Sequence, residues 1–330
     1  MEQSNVEKLF KSIDEVTEII QNAKNETYLE SLIIALNIIL DDGAQDELDD
    51  VTKHKVAKPV QTVNEEEFDA ETYRKALSLS ILKGMKGASQ QQHLMTPDTV
   101  GFLISYLTNK LIDKKGQISL FDPAGGTANL LTIVLNQLEN PFKAYASEVD
   151  PALIELAVLN ANLQKKEISF YHQDSLRPFL IEPVDMVVTD LPVGYYPDDV
   201  TAEEYQLKAD KGNSYAHHLF IEQSLKYLKE GGFFIGVIPE FLFDSDQSDK
   251  LHAFFQETAH IVGVIRLPET SFKSKNQAKS VLILQKKGYG TKEPKQPLLV
   301  QLPSFKNAQA MADIIKQINE WFTSYPNRIK

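Results

Sequence analysis

The stretch ISLFDPAGGTANLL, residues 118–131, decides the fold class of this 330-residue chain. It begins as a short apolar strand, turns at a proline and two glycines, and continues as an apolar helix predicted over Ala128–Leu138. A strand, a glycine turn and a helix in this order open the ligand crevice of a doubly wound α/β sheet. The spacing of the glycines differs from the dinucleotide-binding motif G-x-G-x-x-G, so the evidence for a dinucleotide ligand is weak. Asp122, at the strand end, favours a ligand with a cation or hydroxyl groups instead.

Three further strand-like segments along the chain also end in carboxylates. AYASEVD ends in Glu148 and Asp150, ISFYHQDS contains Asp174, and VDMVVTDLPVGYYP contains Asp190. A single acid at a strand end is commonly the N-cap of the next helix. In a parallel sheet, however, the carboxyl ends of the strands lie on one edge, where ligands bind. Four acid-ended strands in succession, counting that of Asp122, therefore predict a ligand site at this edge.

These segments resemble the class I S-adenosylmethionine-dependent methyltransferases over roughly residues 91–287. More narrowly, they are similar to the adenine-N6 DNA methyltransferases of type I restriction–modification modification subunits. DPAGGTANLL resembles that family's D-P-A-C-G-[ST]-G cofactor loop, with Gly125 where Cys is usual and Ala128 where Gly is usual. HLMTPDTVGFLISYL resembles the segment whose Thr-Pro contacts the methionine end of the cofactor. TDLPVGYY occupies the place of the catalytic loop, [DN]-P-P-[YF].

The resemblance implies that the cofactor is S-adenosylmethionine. A carboxylate accepts well from both ribose hydroxyls, and Glu148 is expected in that role. Asp174 is expected to accept from the adenine amino group, and either residue could instead be a helix cap. Thr96 could add a hydroxyl at the methionine head or be only the N-cap of the next helix. The predicted cofactor contacts are Thr96, Asp122, Pro123, Ala124, Gly125, Gly126, Asn129, Glu148, Val149, Asp174, Ser175 and Asp190.

The loop after the fourth acid-ended strand is the predicted catalytic centre, formed by Asp190, Leu191, Pro192 and Tyr195. Methyl transfer depends mainly on alignment of an in-line displacement. The resemblance implies that a carboxylate and the next backbone carbonyl accept from the two N–H groups of the target amine. Here these acceptors are the side chain of Asp190 and the carbonyl of Leu191.

Two positions of this loop depart from the family pattern. Leu191 replaces the first proline, which keeps the carbonyl but loosens the preset backbone. Val193 replaces the aromatic residue that stacks on an extruded base. Such stacking contributes about 1–3 kcal/mol per base. Tyr195 or Tyr196 could substitute for that ring, or both could pack the loop or contact another substrate.

The predicted fold class is α/β: a seven-stranded, Rossmann-like class I methyltransferase sheet with a small N-terminal helical domain. Residues 1–88 are assigned to the helical domain and residues 89–330 to the methyltransferase domain. Three helices are predicted in the first domain from apolar residues at helical spacing. Between the second and third of these helices, Val51–Val63 is expected to be extended.

Within the second domain, strands and helices alternate. Asp98–Leu111 is predicted as a helix with Thr96 as its N-cap. Tyr215–Leu228 is predicted as an amphipathic helix that a Gly-Gly pair ends. The strands His260–Arg266 and Ser280–Gln285 have no helical pattern between them, which predicts an antiparallel hairpin at the sheet edge.

Composition narrows the class of protein further. The hydrophobic fraction of 42% is that of a soluble globular chain. The absence of cysteine excludes disulfides and thiolate metal sites. The apolar run SLIIALNIIL is too short for a membrane span and wrongly placed for a signal peptide, so a cytoplasmic protein is expected. His217 and His218 are adjacent on a predicted helix and diverge by about 100°, so they are expected to pack or cap rather than bind metal.

The formal net charge of −12 argues against strong unaided binding to duplex DNA, because phosphate neutralisation supplies most non-specific affinity. Adenine-N6 methylation of DNA is the first functional hypothesis, with specificity supplied by a protein partner or by the N-terminal domain. The second hypothesis is N-methylation of another planar amide or amine, in RNA or protein. The third is a binding or regulatory protein that keeps the cofactor fold without catalysis.

Overall fold

The computed structural model describes residues 4–41, 48–86, 95–113, 116–272, 277–326 and 328–329. The predicted domain boundary at residue 88 lies outside these ranges. The helices are α1 (Asn5–Lys24), α2 (Tyr28–Leu40), α3 (Asp50–Asn64), α4 (Ala70–Met85), α5 (Asp98–Leu111), α6 (Asn129–Asn136), α7 (Pro151–Leu163), α8 (Asp199–Ala202), α9 (Ala216–Tyr227), α10 (Ser248–Thr258) and α11 (Ala308–Ser324). The strands are β1 (Ile118–Asp122), β2 (Phe142–Glu148), β3 (Ile168–His172), β4 (Val184–Asp190), β5 (Leu228–Pro239), β6 (Ala259–Arg266), β7 (Lys279–Lys286) and β8 (Leu298–Gln301).

The described strands form one sheet in the order β3-β2-β1-β4-β5-β7-β6-β8. The first five strands in that order are parallel, so their carboxyl ends meet at one edge. β7 runs antiparallel between β5 and β6. The sheet brings three of the predicted acids to that edge, because Asp122, Glu148 and Asp190 are the last residues of β1, β2 and β4. The predicted α/β class with an N-terminal helical domain is thus confirmed.

Helices cover both faces of the sheet. Alternate residues of β5 show the division: Phe233 and Ile235 pack toward α5, α6 and α11, whereas Phe234 and Ile238 pack toward α9 and α10. The side-chain period of two in a strand produces this division. A third apolar cluster joins α1–α4 to the leucines of α7, so the N-terminal helices lie against the sheet's own helical layer.

The prediction of extended backbone over Val51–Val63 is wrong, because this segment lies within α3. Asp49 caps the helix by accepting from the backbone N–H groups of Val51 and Thr52. The valines at positions 56, 60 and 63 are buried on one face at helical spacing. Proline within the helix and β-branched residues lower helix propensity, but burial of this face overrides it.

The hairpin prediction is right in direction and wrong in position. β6 and β7 are antiparallel, but β8 pairs with β6 and forms the edge, so the described residues contain eight strands where seven were predicted. The helix predicted to end at a Gly-Gly pair ends at Tyr227 instead. Gly231 and Gly232 lie within β5, and Gly231 has a φ of 77°, so the pair shapes a strand and does not cap a helix.

Candidate active site

The turn after β1 holds a buried carboxylate. Asp122 is 1% exposed, and its Oδ1 accepts from the backbone N–H of Ala124 at 3.1 Å. The pKa of Asp122 is raised to about 7, mainly by burial and to a smaller extent by the charges of Asp190 and Glu148, against the lowering effects of Ala124 and Thr189. The three carboxylates are therefore close enough to influence one another.

The glycine turn brings backbone N–H groups to the same edge. Gly125 donates to the carbonyl of Ser147 at 2.8 Å, and a Cβ at Gly125 would lie 3.2 Å from that of Ala146. Gly126 has a φ of 52° and faces open space. Ala128, where the family has glycine, takes the left-handed conformation with a φ of 59° and precedes the first residue of α6. The turn thus requires left-handed backbone at two positions.

The carboxylate of Glu148 is fixed by three backbone N–H groups. Its Oε2 accepts from Gly126 at 2.9 Å, and its Oε1 accepts from Val149 at 2.8 Å and from Asp150 at 2.9 Å. The N-cap of α7 is Asp150, which accepts from two N–H groups of the first turn. Glu148 is therefore not needed as a helix cap, and its Oε2 has acceptor capacity left for a ligand.

Asp174 and Ser175 follow β3 and contact neighbouring loops. Oδ1 of Asp174 accepts from the N–H of Leu176 at 2.9 Å, and Oδ2 accepts from the hydroxyl of Tyr196 at 2.5 Å. The Ser175 hydroxyl donates to the carbonyl of Pro123, which joins this loop to the glycine turn. Asp174 therefore stabilises its own turn and also faces the loop after β4.

Asp190, the last residue of β4, has a partner on each carboxylate oxygen. Thr96 donates its hydroxyl to Oδ2 at 3.0 Å, and Lys279 donates from Nζ to Oδ1 at 2.7 Å. The prediction that Thr96 caps α5 is wrong, because the N-cap is Pro97 and no side chain caps that helix. A threonine two residues before the helix is too far back to cap it, so its hydroxyl is available to Asp190.

Sequence reasoning missed Lys279. Its signal is topological: β7 is antiparallel to β5, with Lys279 opposite Pro239. The start of β7 therefore lies where β4 and β5 end.

The loop after Asp190 buries Leu191 and Tyr196 and exposes the residues between them. The N–H of Leu191 donates to the carbonyl of Val237 at 3.1 Å, and its side chain is buried. Pro192 is exposed, and Val193 is 48% exposed. Tyr195 is 59% exposed and stacks on Tyr215, with ring centroids 4.9 Å apart and planes at 14°.

His217 and His218 lie beneath this ring pair at the start of α9. Tyr215 contacts both imidazoles, and Phe241 contacts that of His217. Burial lowers the pKa of His217 to about 3, with a smaller effect from His218. Burial lowers the pKa of His218 to about 4. Both rings are therefore neutral near pH 7 and pack among aromatic side chains.

A buried arginine, also missed from the sequence, joins the N-terminal helices to the start of α6, just after the glycine turn. Arg74 of α4 is fully buried and donates to Oδ1 of Asn129 at 2.8 Å and to both oxygens of Asp98. Nδ2 of Asn129 donates to the carbonyl of Thr96 at 3.1 Å. Polar contacts therefore run without interruption from α4 to the Thr96–Asp190 pair.

The acidic side chains at this edge of the sheet fit the cofactor that the resemblance implies. The sulfonium, ammonium, two ribose hydroxyls and adenine amino group of S-adenosylmethionine are cations or hydrogen-bond donors, whereas its carboxylate is an acceptor. The acids at this edge are acceptors, and Gly126 leaves open space beside them. Among the described residues, no group of three or more His, Asp or Glu side chains could hold a metal ion. No helix of the described ranges is long and apolar enough to cross a membrane.

The sequence profile of the N-6 DNA Methylase family matches residues 82–321, and that of the YtxK N-terminal helical domain matches residues 7–85. The chain is 45% identical to the uncharacterized protein YtxK of Bacillus subtilis, over 98% of this chain and 99% of that protein. It is 24% identical to the EcoEI type I restriction enzyme methylase subunit of Escherichia coli, over 64% of this chain and 46% of that protein.

A solved structure with high sequence identity matches this chain over nearly the full length of both proteins. It is a Listeria monocytogenes protein assigned to the class I S-adenosylmethionine-dependent methyltransferases. The two are 40% identical with a TM-score of 0.90, over 96% of this chain and 99% of the other. The resemblance to the class I S-adenosylmethionine-dependent methyltransferases is thereby confirmed.

Proposed function

The chain belongs to the N-6 DNA methylase family, and from that premise we propose that it methylates the N6 amino group of adenine in DNA. The observation that carries the proposal is the position of Asp190, at the end of β4 beside the glycine turn. β1 and β4 are parallel neighbours in the sheet, and Asp122 and Asp190 are their last residues, so a group bound at Asp190 lies next to a ligand of the turn.

S-adenosylmethionine would be held by the turn and the acids around it. Asp122 would hold the methionine head, Glu148 the ribose hydroxyls, and Asp174 the adenine amino group. The N–H groups of Gly125 and Gly126 already donate to Ser147 and Glu148, so the glycine turn would contribute space for the methionine head rather than these donors. The bound cofactor supplies an electrophilic methyl group on a good leaving group. Asp190 orients the target amine, with the carbonyl of Leu191 as second acceptor. Catalysis then consists mainly of alignment.

We further propose that residues 1–88 form the helical domain and residues 89–330 the methyltransferase domain. The cluster that joins α1–α4 to the leucines of α7 supports two units packed together. A protein partner is proposed for DNA specificity. The net charge of −12 disfavours strong unaided DNA binding, and the Escherichia coli relative is itself a subunit of a larger enzyme.

The test is transfer of tritium from labelled cofactor into DNA, RNA and protein fractions of a cell lysate. Incorporation into DNA as N6-methyladenine supports the proposal, whereas incorporation only into RNA or protein replaces it by one of the other hypotheses. Asp190→Ala should abolish transfer and leave most cofactor affinity, because the side chain acts on the amine. Glu148→Ala is the complementary variant and should weaken cofactor binding about tenfold or more.

A further inference from the structure

Lys279 brings a positive charge to the loop that the family uses for catalysis. Its Nζ lies 2.7 Å from Oδ1 of Asp190, and the Thr96 hydroxyl lies 3.0 Å from Oδ2. The two hydrogen bonds approach different oxygens, so each oxygen has one partner among the described residues. Since β7 begins opposite Pro239, the lysine lies beside the ends of both β4 and β5.

Both members of this ion pair keep hydrogen-bonding capacity. A carboxylate offers about four lone-pair positions, and an ammonium group has three N–H donors. One contact between the two groups leaves acceptor sites on Asp190 and donors on Lys279. Their side chains are 16% and 30% exposed, so a bound molecule can reach them.

We propose that Lys279 is a specificity-determining residue that recognises the target adenine together with Asp190. The inference rests on the proposed function. Oδ1 and Nζ present an acceptor beside a donor, which is the pattern that one asparagine side chain presents to adenine. Asp190 accepts from the N6 amino group, and Lys279 donates to N1 or N7, the ring nitrogens that flank it.

Charge explains why a lysine can occupy this position. A lone ammonium would repel the sulfonium cation of the cofactor. Lys279 forms a close ion pair with Asp190, and the pair has no net charge. Aspartate alone has acceptors and no donor, so the lysine supplies what an aspartate in this loop lacks.

The test compares DNA that contains adenine with DNA that contains 1-deazaadenine or 7-deazaadenine at the target. Wild-type protein should lose about tenfold or more in kcat/KM on one of the two analogues, since a bidentate contact to a base is broken. Lys279→Met should lose a similar factor on adenine and no longer discriminate against that analogue. If Lys279 has a purely structural role, Lys279→Met should lower kcat/KM equally on all of these substrates.

Lys229→Met is the matched control. Lys229 pairs with Asp185 at 2.8 Å, at the opposite end of β4, and its loss should leave discrimination between adenine and the analogues unchanged. Cofactor binding by calorimetry reports whether each variant is folded. Lys279→Met that still discriminates, or that is faster than wild type, overturns the inference and leaves the proposed function standing. If wild-type protein methylates no adenine in DNA, the proposed function itself fails.

A double variant provides an independent readout. Asp190→Asn combined with Lys279→Met places an acceptor and a donor on one side chain. We expect this double variant to recover activity relative to Lys279→Met alone, because the amide supplies both contacts to adenine. A double variant no more active than Lys279→Met alone would contradict the shared recognition.

Discussion

The hydroxyl of Tyr196 donates a 2.5 Å hydrogen bond to Oδ2 of Asp174. Tyr196 belongs to the loop after β4, and Asp174 follows β3. The loop proposed to hold the target amine therefore contacts the carboxylate proposed to hold the cofactor's adenine. A phenol donor on that carboxylate occupies an acceptor position that the adenine amino group would otherwise use.

Tyr196→Phe should therefore tighten cofactor binding. The backbone N–H of Leu176 still orients Asp174, so removal of the phenol hydroxyl frees an acceptor without loss of geometry. A net hydrogen bond of about 0.5–1.5 kcal/mol corresponds to an affinity gain of roughly two- to tenfold. Calorimetric titration with the cofactor measures the change.

Tyr205→Phe is the control for that variant. Tyr205 is also buried, and its hydroxyl donates to the carbonyl of Leu176 at 2.5 Å instead of to Asp174. Its loss should leave cofactor affinity near that of wild type. If Tyr196→Phe weakens binding as Asp174→Ala does, Tyr196 positions the carboxylate and does not compete for it.

The pH dependence of stability should reveal the state of Asp122. Its pKa is about 7 in the folded protein and about 3.8 when unfolded. Between these values the folded state binds more protons, so its stability falls as pH rises toward 7 and levels off above. Asp122→Asn cannot ionise and retains an oxygen for the N–H of Ala124. The variant should gain stability relative to wild type as pH rises from 4 to 8, by on the order of 4 kcal/mol.

Denaturant unfolding at several pH values measures this difference. Asp185→Asn is a useful control, because the hydrogen bond and charge of Lys229 and the hydrogen bonds of Ser119 outweigh burial and lower the pKa of Asp185. Its stabilising contribution is present above pH 4 and is lost as pH falls, the opposite trend. A difference between wild type and Asp122→Asn that does not vary with pH would mean that Asp122 is ionised throughout.

Much of this site could be predicted because its signals are local. The acids at the strand ends and the glycine turn are read from short apolar segments, and the parallel sheet then collects them on one edge. Lys279 and Arg74 could not be predicted this way. They lie 89 and 55 residues from Asp190 and Asn129, their partners, and no local pattern in their own segments points to those partners. Helix α3 could not be predicted because its valines and its proline have low helix propensity, which concealed the helical spacing of its apolar residues.

Arg74 should contribute more to stability than an exposed lysine on the same helix. Arg74→Met removes the donor to Asn129, which is buried, and to Asp98, and should cost on the order of 3 kcal/mol of unfolding free energy. Lys75→Met is the control, since Lys75 is largely exposed and lies 3.5 Å from Glu71. It should cost less than about 0.5 kcal/mol. Equal costs in denaturant titration would show that the buried network adds no stability.

Tyr195 should supply the ring that Val193 lacks. It is exposed and already stacked on Tyr215, so a flipped base could stack on this ring pair. Tyr195→Ala should lower kcat/KM on duplex DNA about tenfold, within the 1–3 kcal/mol of a base–aromatic stack, and Tyr195→Phe should retain activity. The loss should shrink when the target adenine is mismatched, because extrusion of an unpaired base costs less.

Val193→Tyr tests the same idea from the other direction. Val193 is half-exposed, so a ring there has room and should help or leave unchanged the methylation of a flipped base. Obstruction by that ring would indicate a substrate other than a flipped base. Tyr289→Ala is the control, since this tyrosine is fully exposed in the turn after β7. Its loss should change neither the rate on duplex DNA nor the rate on DNA with a mismatched adenine. Wild-type rates for Tyr195→Ala on duplex DNA would show that the Tyr195–Tyr215 pair does not contact the base.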